Sequence, residues 1–552
     1  MDSPVASVDE KQVMSKDVGA HGSDNDVSSP EKQVPTTTSV LVADNGTNGN
    51  HDDTASIVSV GGRTKKVPMK VKLVSVVLVS LIGFGAHWSS GVTGAMKSAL
   101  KKGMGINNTQ YALLDATDNF IKSVLILATG LYTDRLGGAS TLVWGNLLFT
   151  AGSVLVAAAT TTRNFRFMLG AMVIQSLGDV ATQVAQYKVF ASWFAPSDGF
   201  ASTLGFELGL GKVGSFVGQI SANVIAERLG DFSWTFWMSV VMNVFTNVAT
   251  VVFYLFTRWC ARHYSSTGKT DPATGEVLTE RTRRLAWSRV VRLPWPFWGV
   301  IAFTLCQTTA ASVFGTNATE LAEQRFHVSS IRAGFYAALT QYMGFFLVPL
   351  LGLFIDVYGH RLTVMSVCGT GMFLSMSLIM WSSSMAGTAA GFGFYAFAVS
   401  LGPTVIIDAI RTSLWYQEVF GSAYAVKICV NNAMNIIMRI VTGVIQDRDN
   451  DVYNHVVIVY VVLAAGAVVV GLSLVALALP WASPVSLGRL QWTRKQRFAR
   501  GAAINAQREA FETNSRAGAN RQLSLVLFGA LSLLTVGAWV CYFWGVATGH
   551  ND

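Results

Sequence analysis

From residue 71 onward, apolar residues arrive in blocks separated by short polar connections. Each block runs about twenty residues, the length at which a helix crosses a hydrocarbon layer of about 30 Å. The pattern predicts spans over 71–94, 109–133, 139–160, 165–193, 203–226, 234–257, 296–319, 332–355, 362–383, 388–415, 424–446 and 455–480. A thirteenth apolar run, 523–547, follows a basic segment. The blocks lack the alternation over about ten residues that barrel strands need, so helices are the elements expected to satisfy the backbone in lipid. The expected fold class is an all-α polytopic membrane protein of 6+6 transmembrane helices with an additional C-terminal helix.

Residues 1–70 are rich in Ser, Thr, Asp and Gly and bury too little apolar surface to fold alone, so they are expected to form a disordered cytosolic tail. No apolar stretch early in the tail resembles a cleaved signal peptide, which leaves the first span as its own insertion signal. The longest interior polar stretch carries Arg258, Arg262, Lys269, Arg281, Arg283, Arg284, Arg289 and Arg292 and divides the twelve spans into two sixes. The expected organisation is thus a six-helix half over 71–257, a basic cytosolic central loop over 258–295, a second six-helix half over 296–481, a basic cytosolic segment over 482–522 and the extra helix.

Composition narrows the class. Of 552 residues 51% are hydrophobic and only 13% charged, against about 25% charged in an ordinary globular chain. Soluble enzymes, collagen-like chains and globally disordered proteins are excluded. The formal net charge of +9 does not point to nucleic acid, because the Lys and Arg residues sit between the apolar blocks. Their excess in the tail, the central loop and the segment from Arg489 places the N-terminus in the cytosol by the positive-inside bias. Lys97, Lys101 and Lys102, in the first outer loop, run against that bias. Asn107 heads an Asn-Asn-Thr glycosylation acceptor in the same loop. The five cysteines show no metal-ligand spacing, and no cofactor or metal motif is read. Gly209-Leu-Gly-Lys-Val-Gly214 matches a nucleotide-binding pattern but lies inside a span with no preceding strand. Neither HExxH nor GxSxG occurs, so no catalytic residues are assigned and the chain is read as a non-enzyme.

Two loops repeat a motif. Between spans two and three stand Gly130, Asp134, Arg135 and Gly137, and between spans eight and nine stand Gly352, Asp356, Gly359 and Arg361, with matching spacing. An Asp at a helix end can accept from a neighbouring helix N-terminus or pair with Arg, and the last glycine permits a tight reversal. Such a charged lock holds one conformation of a two-half carrier. These residues resemble the cytoplasmic loop signature of the major facilitator superfamily, which implies the major facilitator fold and alternating access around a midplane site. Gly138 and Val357 stand where that signature more often has basic residues.

The run from Gly178-Asp179 through Gln186-Tyr187, followed by Leu204-Gly205-Phe206 and Lys212-Val-Gly214, resembles the branch of the superfamily that includes the lysosomal dipeptide transporters. The resemblance implies that Asp179 and Lys212 lie in the central cavity, with Lys where Arg is more usual. It also implies a small-molecule substrate, a glycosylated accessory subunit as partner and a lysosomal or vacuolar membrane. The plasma membrane stays open because no acidic-dileucine sorting signal occurs in the tail.

The residues argue separately for a dipolar substrate. An intramembrane charge costs several kcal/mol, so it normally has a partner or lines water. Asp179 and Lys212 offer both signs to a zwitterion, or they pair with each other for packing. Gln183, Gln186 and Tyr187 on span four and Asn431 and Asn435 on span eleven are the neutral candidates for the same path. His87, Asp115 and Asp118 are the candidates for proton coupling. Asp118 with Lys122 (i,i+4) and Asp408 with Arg411 (i,i+3) are expected to satisfy each other locally. The resulting expectation is a secondary transporter of small zwitterions, dipeptides above all. The alternatives are a proton-coupled exporter of amphiphilic or cationic compounds and a non-transporting receptor or accessory subunit.

Overall fold

The computed structural model describes residues 68–194, 199–264, 269–271, 273–275, 277–278, 289, 291–382, 384–416, 419–479, 485–513 and 516–548. Residues 1–67 of the expected tail lie outside them.

The first span is split at Gly83 into α1 (Met69–Ile82) and α2 (Phe84–Ala95), and the short α3 (Lys97–Met104) follows. The remaining helices of the N-terminal half are α4 (Asn108–Leu136), α5 (Gly138–Thr162), α6 (Phe165–Trp193), α7 (Phe200–Leu229) and α8 (Ser233–His263). A two-residue hairpin, β1 (Lys269–Thr270) with β2 (Val277–Leu278), pairs antiparallel in the central loop. The C-terminal half comprises α9 (Trp295–Phe326), α10 (Ser330–Tyr358), α11 (Arg361–Trp381), α12 (Met385–Ser413), α13 (Phe420–Arg448) and α14 (Asn454–Leu477). The short α15 (Val485–Gly488) and α16 (Arg494–Ala499) lead to α17 (Gly501–Thr513) and the long α18 (Arg516–Thr548).

Among the described residues eleven spans are apolar enough on composition to cross a membrane, and α4 and α7, 29 and 30 residues long, are not among them. These two carry Asp115, Asp118 and Lys122, and Glu207 and Lys212. Their polarity is tolerated because they are enclosed: α4 packs along α13 and α7 along α10, and these two seams join the halves. Close approach makes the α7–α10 seam. A Cβ on Gly352 of α10 would lie 2.5 Å from the Ala201 carbonyl of α7, and one on Gly205 would meet the Val348 carbonyl at 2.7 Å. Large apolar side chains on the outside, such as Trp144, Val241, Leu350, Val462 and Leu533, form the surface that lipid covers.

The extra helix crosses the α4–α13 seam. At one end the Trp298 indole of α9 donates to Ser524, and mid-helix Thr535 meets Cys429 of α13. At the other end Tyr542 stacks on Phe120 of α4, with ring centroids 4.6 Å apart, and its hydroxyl lies 3.0 Å from that of Thr117. Ahead of it, Arg497 donates to Asp271 at 2.9 Å, and the Leu490 carbonyl accepts from the Arg361 backbone at 3.1 Å. The segment after α14 is thereby tied to the central loop and to the start of α11.

Candidate functional site

Charged side chains form three layers along the membrane normal. The end that carries the basic segments is called inner below, and the other outer. In the middle, halfway along α4 and α6, Lys122 lies 2.5 Å from Asp179 and 2.7 Å from Asp118. The pairing of Asp118 with Lys122 is the local one expected, and Asp179 joins it from the neighbouring helix. The three side chains keep 15–32% exposure, and together they carry one negative charge in excess. Lys212 does not pair with Asp179. Its stem crosses Gly344 of α10, and its ammonium donates to Gln341 at 2.7 Å, across the seam between halves. Among the described residues no carboxylate bridges to Lys212, nor to Lys427 of α13, which lies over the Tyr424 ring at 5.7 Å.

The neutral candidates divide. Gln186 is buried and donates to the Val79 carbonyl and to Glu207, while Gln183 is half-buried. Tyr187 meets Tyr424 of the other half edge-on at 5.0 Å. Asn431 and Thr304 bond each other within the C-terminal half, whereas Asn435 reaches Asn119 of α4 at 3.4 Å. Asn435 therefore belongs to the seam between halves.

At the inner end the second loop copy connects the halves. Asp356 accepts from the backbone N–H of Ser202 at 2.9 Å and from its hydroxyl, capping the first turn of α7. Gly359 has φ 71°, and a Cβ there would stand 2.1 Å from the Trp492 carbonyl. Arg361 is 1% exposed and binds Asp408 of α12. This corrects the expected local pair of Asp408 with Arg411, because the loop reversal delivers a fully buried guanidinium to the carboxylate. In the first copy Gly137 has φ 88°. Gly130 falls within α4, and the side chains of Asp134 and Arg135 lie outside the described part of the structure.

At the outer end a clamp joins the halves that the sequence reading did not assemble. Lys97 donates to Asn317 (2.8 Å), Gln446 (3.0 Å) and Tyr453 (2.9 Å) and lies 2.7 Å from Glu320. Burial pushes its pKa down against the pull of Glu320. Lys101 bridges Glu320 and Asp451, each at 3.1 Å. Burial alone would lower its pKa too, but these two carboxylates outweigh it and hold the value above that of an ordinary lysine. Asp447 accepts from the backbone N–H groups of Asn108 and Thr109 at the start of α4. Arg439 of α13 binds Asp115 of α4 just below. One signal was available in the sequence: three lysines against the charge bias need compensating acids. The predicted end of span seven at residue 319 left Glu320 out. Asn107 caps α4, its side chain accepting from the Gln110 backbone at 2.7 Å. His87 of α2 lies 4.0 Å from Glu207.

The chain matches the Major Facilitator Superfamily model over residues 79–426, more than half its length. It is 22% identical over 390 residues to the lysosomal dipeptide transporter MFSD1 of Homo sapiens, covering 68% of this chain and 80% of that one. Identity to the transporter of the same name from Mus musculus is 24% over 396 residues, with the same coverage. In fold it resembles the crystal structure of the Major Facilitator Superfamily transporter FucP in the outward conformation, with a TM-score of 0.55 and 12% identity over 73% of this chain and 99% of that one.

Proposed function

The chain belongs to the major facilitator superfamily, and from that membership we propose that this membrane transporter carries small zwitterionic solutes, dipeptides foremost, by alternating access. One observation carries the reading: opposite charges in mid-membrane are not neutralised by each other. Asp179 belongs to a cluster with one excess negative charge, and Lys212 is held by a neutral amide. An α-amino group is drawn to the first and an α-carboxylate to the second. An ammonium restrained by one neutral hydrogen bond gives it up for a carboxylate at little cost, since charge-assisted bonds are roughly twice as strong as neutral ones. The dipeptide substrates named for the relatives at 22–24% identity support the same class, and the lysosomal membrane in their name supports that location here.

The layers support alternating access. The outer clamp of Lys97, Lys101 and Asp447 and the inner clamp of Asp356 both join the halves, so each must open when solute enters from its side. A glycosylated accessory subunit, implied by the resemblance, belongs to this proposal as a partner.

Purified protein in liposomes should take up labelled dipeptides and should discriminate against organic cations that lack a carboxylate. Lys212→Met and Asp179→Asn should each abolish the uptake while leaving the protein folded. Equal uptake of such cations, or normal dipeptide flux in both variants, would falsify the assignment.

A further inference from the structure

One cation of the basic segment after α14 is not in solvent. Arg489, which directly follows α15, is 5% exposed; its guanidinium lies over the Trp415 ring at 3.7 Å and donates one N–H to the Ser413 carbonyl at the end of α12. A buried guanidinium needs a counter-charge and acceptors for five N–H groups. Among the described residues no carboxylate bridges to Arg489, and the charges that act on it, those of Arg497 and Arg411, have its own sign. Burial first, and then these like charges, hold its pKa below that of an ordinary arginine.

The cavity beside it is rich in donors. It lies at the inner end, between the end of α12, the segment after α14 and the central loop, and its empty volume is about 430 Å³, part of it open to solvent. Arg489, Arg497, Trp415 and Thr412 line it. The Nε of each arginine, the indole nitrogen of Trp415 and the hydroxyl of Thr412 are all buried without a hydrogen-bond partner. Buried polar atoms in that condition are rare in folded proteins. Three of these four are N–H groups with no lone pair to offer, so only an acceptor can satisfy them. Asp271, a carboxylate on the same wall, is already held by Nη2 of Arg497 and by the Ala273 backbone N–H, each at 2.9 Å.

The geometry points to an anion-binding site in this cavity, with a phosphate monoester as its ligand. Guanidinium groups recognise phosphate through charge-assisted hydrogen bonds, and donors on three separate pieces of chain suit a tetrahedral group with three terminal oxygens better than a planar carboxylate. The phosphate is carried by a soluble ester or by a lipid headgroup, since the cavity opens at the inner end of the bundle. Its occupant would neutralise Arg489 and tie the end of α12 to the segment after α14. The next residue, Leu490, accepts through its carbonyl from the Arg361 backbone at the start of α11, so the same occupant would stiffen the inner end of the C-terminal half. The site is separate from the mid-membrane charges and does not depend on which solute they carry.

The test uses the purified full chain in nanodiscs, at constant ionic strength with chloride as the background anion. In phosphatidylcholine discs, radiolabelled inorganic phosphate should bind saturably, one per chain, and Arg489→Gln should lose that binding. In a second arm the discs contain a phosphatidylinositol monophosphate, and the lipid retained by the protein on extraction is counted by mass spectrometry. Retention that Arg489→Gln abolishes, without binding of inorganic phosphate, upholds the site and assigns the lipid as its source. No binding of either probe, or binding that Arg489→Gln leaves unchanged, overturns it, and the donors then face water alone. Lys495→Gln removes an exposed charge of α16 and should bind as the wild type does; a loss equal to that of Arg489→Gln would show a general surface attraction and overturn the site. Should Arg489→Gln fail to fold, Trp415→Phe decides, because it keeps a ring under the guanidinium and removes only the N–H. Binding weaker by about tenfold upholds the site, and unchanged affinity overturns it.

Discussion

The Lys97 ammonium lies 2.7 Å from the Glu320 carboxylate, and the two side chains, only 3% and 7% exposed, come from opposite halves of the molecule. A buried pair of this kind is costly to break, because removing one partner strands the other charge and typically costs 3–5 kcal/mol. Opening the outer end requires both charges to be rehydrated at once.

Lys97→Met should therefore lower the melting midpoint in detergent and expose the outer end. The exposure is read by thiol labelling of a cysteine introduced at Thr316, which lines the polar pocket beneath the clamp with Asp115 and Arg439. Adding Glu320→Gln to the same protein should recover part of the lost stability, since the buried carboxylate, left with Lys101 as its one cation, is then gone and Lys101 keeps Asp451. A double variant as unstable as the single one would show that packing, and not charge, holds the clamp.

The pH dependence of that clamp has a definite sign. With its pKa above the ordinary lysine value, Lys101 contributes stability that is complete below about pH 10.4 and fades only as the pH rises through the shifted value. The difference in melting midpoint between wild type and Lys101→Met should then stay constant from about pH 6 to 9. A difference that disappears toward pH 6 would mean that the carboxylates, and not the lysine, titrate first.

At the inner end, Gly352→Val should block closure of the α7–α10 seam, because even a Cβ would stand 2.5 Å from the Ala201 carbonyl. The expected result is a protein that inserts and melts early and does not transport. Asp356→Asn is milder: it removes the negative charge at the start of α7, worth about 0.3–1 kcal/mol. It should raise labelling of inner-end cysteines without loss of fold. Unchanged labelling would indicate that backbone packing suffices.

Deleting α18 by ending the chain at residue 514 should leave the twelve-span core able to insert, because its own seams stay intact. It should loosen the outer half of the α4–α13 seam, where Tyr542 and Trp539 bond Thr117 and Ser123. Tyr542→Phe removes one of these hydrogen bonds, worth about 1 kcal/mol. Cross-linking between cysteines at Asn108 and Asp447 should become less efficient in the truncated protein, and equal efficiency would make the helix a bystander.

Sequence pattern reached the long helices because crossing a bilayer imposes a length, and in eleven of those described an apolarity too, that a window of the chain displays by itself. The repeated loop residues were legible for a similar reason: Gly352, Asp356 and Gly359 serve backbone geometry within one short stretch. Even there the partner was not, since Ser202 stands 154 positions away. Local spacing found Asp118 with Lys122 and misled for Asp408, where a residue three positions along was outcompeted by one delivered through a loop.

By itself, then, the chain determined that it is built of long apolar helices, which way its charges bias it, and which polar residue types interrupt the apolar runs, since these depend on stretches of contiguous residues. Only the tertiary structure decided which groups meet: Lys122 with Asp179, Gln341 with Lys212, Glu320 with Lys97, and no fixed cation for Glu207 among the described residues. The reason is electrostatic. In a medium of low polarity the energy of a charge is set by whatever lies within a few ångströms, and in a helix bundle those neighbours come mostly from other helices, at separations that no periodicity encodes.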